Sequence, residues 1–389
     1  MGVGYSFPAN FTEKHVEELE KMQVKMKSRD FNPHGDYIEN IYGSFPRTIL
    51  GHARTPGSVP KIDLEASKDY IQAIRKLGIN FHFTLNSLWS NEREKSPQLQ
   101  GKLKSLIGEL IDIGVNGFIV ANPYLIKKIK EWFQDAFIIA SINLKIDSEQ
   151  LVKRYLEFGA GSIVLDREIN RNFKLLGSLL SKYPENLVLL ANSTCLLGCP
   201  LQTYHSLENG FLSLEVDDFS DIEKDYYYSI SDQIKDENFC FNYCLGEYAQ
   251  NPELLLKAPW IRPGDLHYYT DIGLKFLKIQ GRTMSVKDQI SLLSAYTNRK
   301  LPVDNLFFIW PNFENNIKKY INQSRCGAFR NIKSSKLDEV KFLEDIVIKK
   351  RDCRLGCGDC CYCDTVFKKI INTTFYVEYL SLNQTLPNI

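Results

Sequence analysis

Short, continuous apolar runs alternate with amphipathic stretches along most of this chain, and that alternation predicts strand-then-helix units. The runs fall at residues 37–42, 80–85, 117–121, 137–142, 162–165, 187–191, a short one near Trp260, and 275–279. Their apolar character on both faces suits a parallel sheet covered from both sides. Between them, helical periodicity predicts segments at 66–77, 103–113, 124–133, 149–157, 171–182, 265–272 and 286–296, after a charged amphipathic helix at about 12–27. Gly78, Gly114, Gly159 and Gly273 each close a helix just before a strand begins, the usual C-terminal stop. Eight units are the arithmetic of an α/β fold of the (β/α)8 type, a TIM-type barrel. A doubly wound open sheet is the alternative, but no glycine-rich phosphate loop follows the first strand.

Beyond about residue 301 the pattern changes. A run at 306–310 fits another strand, a charged helix follows at 337–350, and a cysteine-dense stretch spans 353–363. The chain divides on this reading into an N-terminal helical segment (1–30), a barrel (31–300) and a C-terminal extension with a Cys-rich cluster-binding segment (301–389). With 44% hydrophobic and 24% charged residues among 389, its composition is that of an ordinary soluble protein. A formal net charge of +1 offers no global field toward nucleic acid or anionic lipid, so RNA is the less expected partner. No run of roughly eighteen apolar residues predicts a membrane span, and the first residues lack the basic and apolar regions of a secretory signal. The expected location is the cytoplasm, where thiols stay reduced.

Against that background the cysteines change the picture. Ten are present, none before residue 195. Nine fall in three groups: Cys195 and Cys199; Cys240 and Cys244; and Cys353, Cys357, Cys360, Cys361 and Cys363; Cys326 stands apart. Such spacing supplies thiolate ligands from short stretches of chain. Cys195 and Cys199 follow the run at 187–191, at the end of a barrel strand where such folds keep their chemistry. Cys240 offers a third thiolate and Cys244 a fourth. Buried small hydrophobes are the plainer alternative. At the C-terminus, Cys353, Cys357, Cys360 and Cys363 resemble a ferredoxin run read backwards, which favours a 4Fe–4S cluster, with zinc as the alternative. One shared cluster and two separate clusters both fit.

Other polar residues gather just past the predicted strands: Gly43 and Ser44; Asn86 and Ser87; Asn122; Asn143; Asp166, Arg167 and Glu168; Asn192 to Cys195; Arg262; Gln280 and Arg282. Asparagine suits turns for local reasons, but its recurrence at one topological level points to a polar site. His205 is a candidate proton donor beside the first cysteine pair, or else a structural histidine. His52, Arg54, Arg167, Arg262 and Arg282 are candidates to line an anion pocket. No GxSxG, HExxH or Walker pattern is present.

Asp166-Arg167-Glu168, Cys195-Leu196-Leu197-Gly198-Cys199-Pro200 with His205, and Phe276-Leu277-Lys278-Ile279-Gln280-Gly281-Arg282 together resemble the collagenase-like peptidase family U32. Ile41-Tyr42-Gly43-Ser44 and the segment from Asn86 to Asn91-Glu92 look like one branch of it, and the cysteine-rich tail looks like that branch's extension. The resemblance runs from about Asp36 to Arg282; Gln280 departs from it, standing where the family usually has Glu. It implies a barrel holding a 4Fe–4S cluster on four cysteines. It also implies oxygen-independent hydroxylation of ubiquinone precursors or RNA bases, with prephenate as a proposed oxygen donor; "peptidase" is the older label.

On that resemblance Cys195 is carried over first, then Cys199 and Cys240, and Cys244 last. His205, Arg167, Glu168 and Arg282 are the expected catalytic residues. The functional expectation is an iron–sulfur-dependent oxidoreductase acting on a small molecule or peptide, with an electron or oxygen donor as its partner. A hydrolase, an RNA-base hydroxylase and a non-catalytic iron–sulfur subunit are the alternatives. Pairing of such barrels in the family implies a homo- or heterodimer.

Overall fold

Inside a closed barrel a side chain must share the lumen with those of neighbouring strands, while outward positions pack on helices. The strands of this protein obey that division. In a computed structural model, which describes residues 2–90, 92–310, 313, 332–349, 351, 353 and 357–371, eight parallel strands close in chain order. They are β1 (Gly4–Pro8), β2 (Tyr37–Gly43), β3 (Asn80–Leu85), β4 (Gly117–Val120), β5 (Phe137–Ala140), β6 (Ser162–Val164), β7 (Leu187–Leu190) and β8 (Phe276–Lys278). The ring is completed where β8 pairs with β1, Gly4 opposite Phe276 and Ser6 opposite Lys278. Ser6, Asn40, His82, Ile119, Val164 and Lys278 line the lumen. Tyr5, Phe7, Phe81, Phe83 and Phe118 take the opposite parity and are fully buried in the main core. Gly117 keeps the lumen open at one point, since a Cβ there would collide with the His82 ring.

Helices α1 (Glu13–Met26), α2 (Leu64–Lys76), α3 (Pro97–Asp112), α4 (Pro123–Trp132), α5 (Glu149–Glu157) and α6 (Phe173–Lys182) follow the first six strands singly. Between β7 and β8 the chain makes a longer excursion through α7 (Gln202–Leu212), α8 (Asp221–Glu237), α9 (Phe239–Gln250), α10 (Leu254–Lys257) and α11 (Leu266–Thr270). After α12 (Val286–Thr297) come α13 (Ser334–Glu339), α14 (Phe342–Ile348), α15 (Cys357–Cys360) and α16 (Tyr362–Ile370). The last of these lies against α10. Among the described residues no helix is long and apolar enough to cross a membrane.

The N-terminal strand is fastened by one buried carboxylate. Asp36 Oδ1 accepts from the Val3 backbone N–H (2.8 Å) and from Arg299 Nη2 (3.0 Å). Its Oδ2 accepts from the Tyr5 hydroxyl (2.5 Å) and from Arg299 Nη1 (2.6 Å). Three parts of the chain meet there: β1, the turn into β2, and the end of α12.

Several expectations need correction. The stretch before residue 31, expected to be a helical segment outside the barrel, supplies strand β1 as well as α1. Its Gly-Tyr-Ser-Phe-Pro sequence alternates small and aromatic residues instead of running apolar. The run near Trp260 is not a strand; it passes beside β7, with the Ile261 N–H donating to Ala191 O (2.7 Å). Residues Leu306–Ile309 form a 3-10 turn, not a strand. The helix expected at 337–350 is broken between α13 and α14, where Lys341 takes a left-handed conformation (φ 51°). Cys326 and Asn91 lie outside the described residues.

Candidate functional site

The C-terminal ends of the strands open into a cavity of about 260 Å³. Four thiols reach it from two elements. Cys195 and Cys199 sit on the loop after β7, and Cys240 and Cys244 lie one turn apart on α9. The same face of α9 continues to Tyr248, whose hydroxyl donates to Thr194 O (2.8 Å) and pins the helix to that loop. The loop itself turns at Gly198 (φ 67°), whose N–H donates to Glu168 Oε1 (3.0 Å). Arg167 Nη1 donates to Cys195 Sγ (2.8 Å).

Facing the thiols are four cations: Arg54, Arg167, Lys278 and Arg282. Among the described residues none of them has a carboxylate partner, and no Asp or Glu lines this cavity. Arg54 Nη2 instead donates to Gln280 Oε1 (3.3 Å), the position where an acid would have paired it. Arg282 Nη1 reaches the Ser44 hydroxyl (3.0 Å), and the Lys278 ammonium rests over the Tyr42 ring, 4.0 Å from its centre. Asn86 and Asn143 complete one wall, Asn143 Nδ2 donating to Asn86 O (3.0 Å).

Residues 51–172 match the model of peptidase family U32. Over that segment the barrel is similar to the U32 family. A relative from Methanocaldococcus jannaschii, the uncharacterized protease MJ1657, is 24% identical over 285 residues, covering 73% of this chain and 77% of its own. The solved structure of the U32 peptidase Mk0906 aligns with 72% of this chain and 93% of its own at 14% identity and a TM-score of 0.46. The matched segment carries Arg54, Asn86, Asn143 and Arg167 to the mouth of the barrel, and it ends before the first cysteine.

Burial sets the protonation of the mouth. It raises the Cys199 thiol, and it pushes Cys240 and Cys244 up to about 12, with Glu208 adding to the effect at Cys240 and the neighbouring thiols Cys195 and Cys199 at Cys244. Protonated thiols in this position become thiolates when a metal neutralises them. Desolvation lowers Lys278 to about 7, with the Arg282 and Arg54 charges acting in the same direction. Desolvation, then Arg54 and Arg167, lower His205, so its ring is neutral at physiological pH and can accept a proton or hydrogen bond.

Two of the expected pocket residues stand elsewhere. His52 is fully buried, its Nε2 beside Pro46 O (3.1 Å), where it supports the loop and not a ligand. Arg262 is held by Asp265 and Asp338 (2.6 Å each) as a structural ion pair. Glu168 is outside the cavity lining, and its Oε1 holds the Gly198 N–H of the loop that bears Cys195 and Cys199. Asn122 caps α4, and Asn192 ties the exit of β7 to that of β8, its Oδ1 accepting from the Gln280 N–H (2.7 Å). Lys278, quoted only as part of the family motif, was not among the expected site residues. Its signal was a single charge inside an apolar strand run.

The loop that delivers Arg54 depends on Gly51 (φ 70°), where a Cβ would run into the carbonyl of Gly210 on α7. Gly51→Ala is expected to destabilise the protein by about 1–3 kcal/mol through the disfavoured backbone region and that collision. Urea unfolding checks this; a change below about 0.5 kcal/mol, the range of a neutral surface substitution, would contradict it.

Among the described residues no three His, Cys, Asp or Glu side chains converge on a point where a single metal ion would be held. The donor set nevertheless suits an iron–sulfur cluster. A cluster takes its thiolates at separate irons, spread around a larger body than one ion. Four thiols on two elements around one cavity, faced by cations that no described carboxylate neutralises, fit that demand.

Proposed function

We propose that the mouth of this barrel is the active site of an iron–sulfur oxidoreductase that takes a small anionic substrate. The observation that carries the reading is the pairing, in one cavity, of four thiols with four cations that no described carboxylate neutralises. Cys195, Cys199, Cys240 and Cys244 would hold a 4Fe–4S cluster, which when bound would supply electron transfer. Four thiolates on such a cluster leave a net negative body, and Arg167 beside Cys195 offsets part of it. Arg54, Lys278 and Arg282 remain to bind the carboxylate or phosphate groups of a substrate or oxygen donor. Asn86 and Asn143 orient its uncharged polar groups, and neutral His205 is placed to accept a proton.

Anaerobic purification of the whole chain is expected to give a brown protein with iron and acid-labile sulfide in equal amounts. Exchanging Cys199 and Cys244 together for Ser is expected to remove the mouth's share. Equal iron in the variant and the parent protein would sink the assignment.

A second reading is a hydrolase, and the family's description and the relative's name support it better than they support the first. Cys195 and His205 line the same cavity, the minimum for a thiol nucleophile and its base. Against it stands the absence of a carboxylate to orient His205 among the described residues lining the cavity. Peptide hydrolysis by cluster-free protein, lost in Cys195→Ser, would favour this reading over the first.

A further inference from the structure

The C-terminal cysteines do not join the mouth. Cys353, Cys357, Cys360, Cys361 and Cys363 line a small cavity of their own with Lys257, Arg351 and Tyr362, and none of them lines the mouth. The segment is docked on the barrel: Lys257 of α10 pairs with Asp364 of α16 (2.8 Å), and Tyr362 donates to Phe342 O (3.0 Å).

A buried charge beside this group has no carboxylate partner among the described residues. Arg171, 3% exposed, spends one nitrogen on Leu256 O, while its Nε and second Nη have no acceptor among the described residues. Its guanidinium lies over the rings of Trp260 (4.7 Å) and Phe342 (5.2 Å), and among the described residues no carboxylate pairs with it. An unpaired guanidinium inside a protein is strongly unfavourable unless an anion lies close by. The Cys363 thiol donates to the same Leu256 carbonyl (3.7 Å), which brings the C-terminal cysteines up to this guanidinium. Arg351 adds a second cation, its Nη1 donating to Cys360 Sγ (3.0 Å) while its plane covers Tyr362 (4.5 Å).

We infer that Cys353, Cys357, Cys360 and Cys363 form a second thiolate-bound metal centre, separate from the mouth, that fastens the C-terminal helix to the barrel wall. As thiolates on a metal they supply the negative charge that Arg171 and Arg351 lack. Cys361 is the odd member. It is exposed, in a left-handed conformation (φ 47°), at the start of α16, and serves the turn. The described thiols do not converge on the position of one ion, so the arrangement favours an iron–sulfur cluster, and zinc is the other outcome the test separates.

The full-length chain is purified anaerobically in three forms: unchanged, with Cys357→Ser and Cys360→Ser, and with Cys199→Ser and Cys244→Ser. Iron, zinc and sulfide are counted per chain. The C-terminal variant is expected to lose its own share of metal while keeping what the mouth variant loses. Loss of iron and sulfide names a cluster, and loss of zinc names a single ion. Arg171→Met, which leaves every thiol in place, is expected to release the C-terminal metal to a chelator about tenfold faster, with the mouth's share unmoved. Cys361→Ser is expected to change nothing. Metal content identical in the unchanged and C-terminal variant chains overturns the inference, as does rapid reaction of all five thiols in the unchanged protein with no metal released. Because the mouth variants serve only as the reference, failure of the mouth assignment leaves this result readable.

Discussion

Replacing Asp36 with alanine is expected to cost about 3–5 kcal/mol of stability, the range for removing one partner of a buried, hydrogen-bonded ion pair. The carboxylate is fully buried and its two oxygens serve the Val3 N–H, the Tyr5 hydroxyl and both Nη atoms of Arg299. Its loss leaves a guanidinium, a phenol and a backbone N–H without their acceptor in a place water reaches poorly. Asp36→Asn keeps an acceptor but loses the charge, and is expected to cost less than the alanine change. Urea unfolding of the three proteins measures the difference. A loss below about 1 kcal/mol for Asp36→Ala, the net worth of an ordinary hydrogen bond, would mean that the strand is held by its ladder alone.

Lys278→Met is expected to act in two directions at once. The ammonium is buried and held near 7 by desolvation, with Arg282 and Arg54 adding to the effect. Tyr42 lies under it, His82 on β3 is kept neutral (about 3), and Glu39 and Glu185 line the lumen below without pairing with it. Its folded pKa is lowered, so between about pH 7 and the ordinary lysine value the unfolded chain binds a proton that the folded chain refuses. Stability therefore rises with pH across that window, and near or below pH 7 the charged lysine opposes folding by on the order of 4 kcal/mol. The methionine variant is expected to be more stable than the parent protein at pH 6–7 and to show a flatter profile from pH 7 to 10. It is also expected to bind a small dianion such as succinate or phosphate at least tenfold more weakly, because the cation cluster loses its innermost member. Urea unfolding across pH and calorimetric titration give the two readouts. An unchanged pH profile would show the ammonium to be solvated. A stabilised variant with undiminished anion affinity would remove Lys278 from the binding site.

The barrel was legible because most of its strands are continuous apolar runs between glycine-stopped helices. β1 escaped notice because a strand whose inward residues are Gly and Ser presents an alternating pattern next to a prolyl end. The mouth was legible where residues follow strand ends: Cys195, Arg167, Arg54 and Arg282 all reached it. What sequence could not distinguish was a pocket cation from a paired one. Arg262 has one acid three residues away and another far along the chain at Asp338, and only folding brings the latter near. Cys240 and Cys244 were found by spacing alone, since the helices around them, α7 to α9, mix charges and aromatics without a clean apolar stripe.

The pairing of β1 with β8 also governs how the molecule is born. One edge of the first strand stays unsatisfied until its partner, roughly 270 residues later, leaves the ribosome; at about 5–20 residues per second that is on the order of 15–55 s. For that interval the nascent chain exposes a bare edge at each end of an unfinished sheet, open to pairing with another nascent chain. Premature truncation anywhere before Phe276 would leave those edges permanently bare, so such fragments should aggregate or recruit holdases, while the finished chain conceals both.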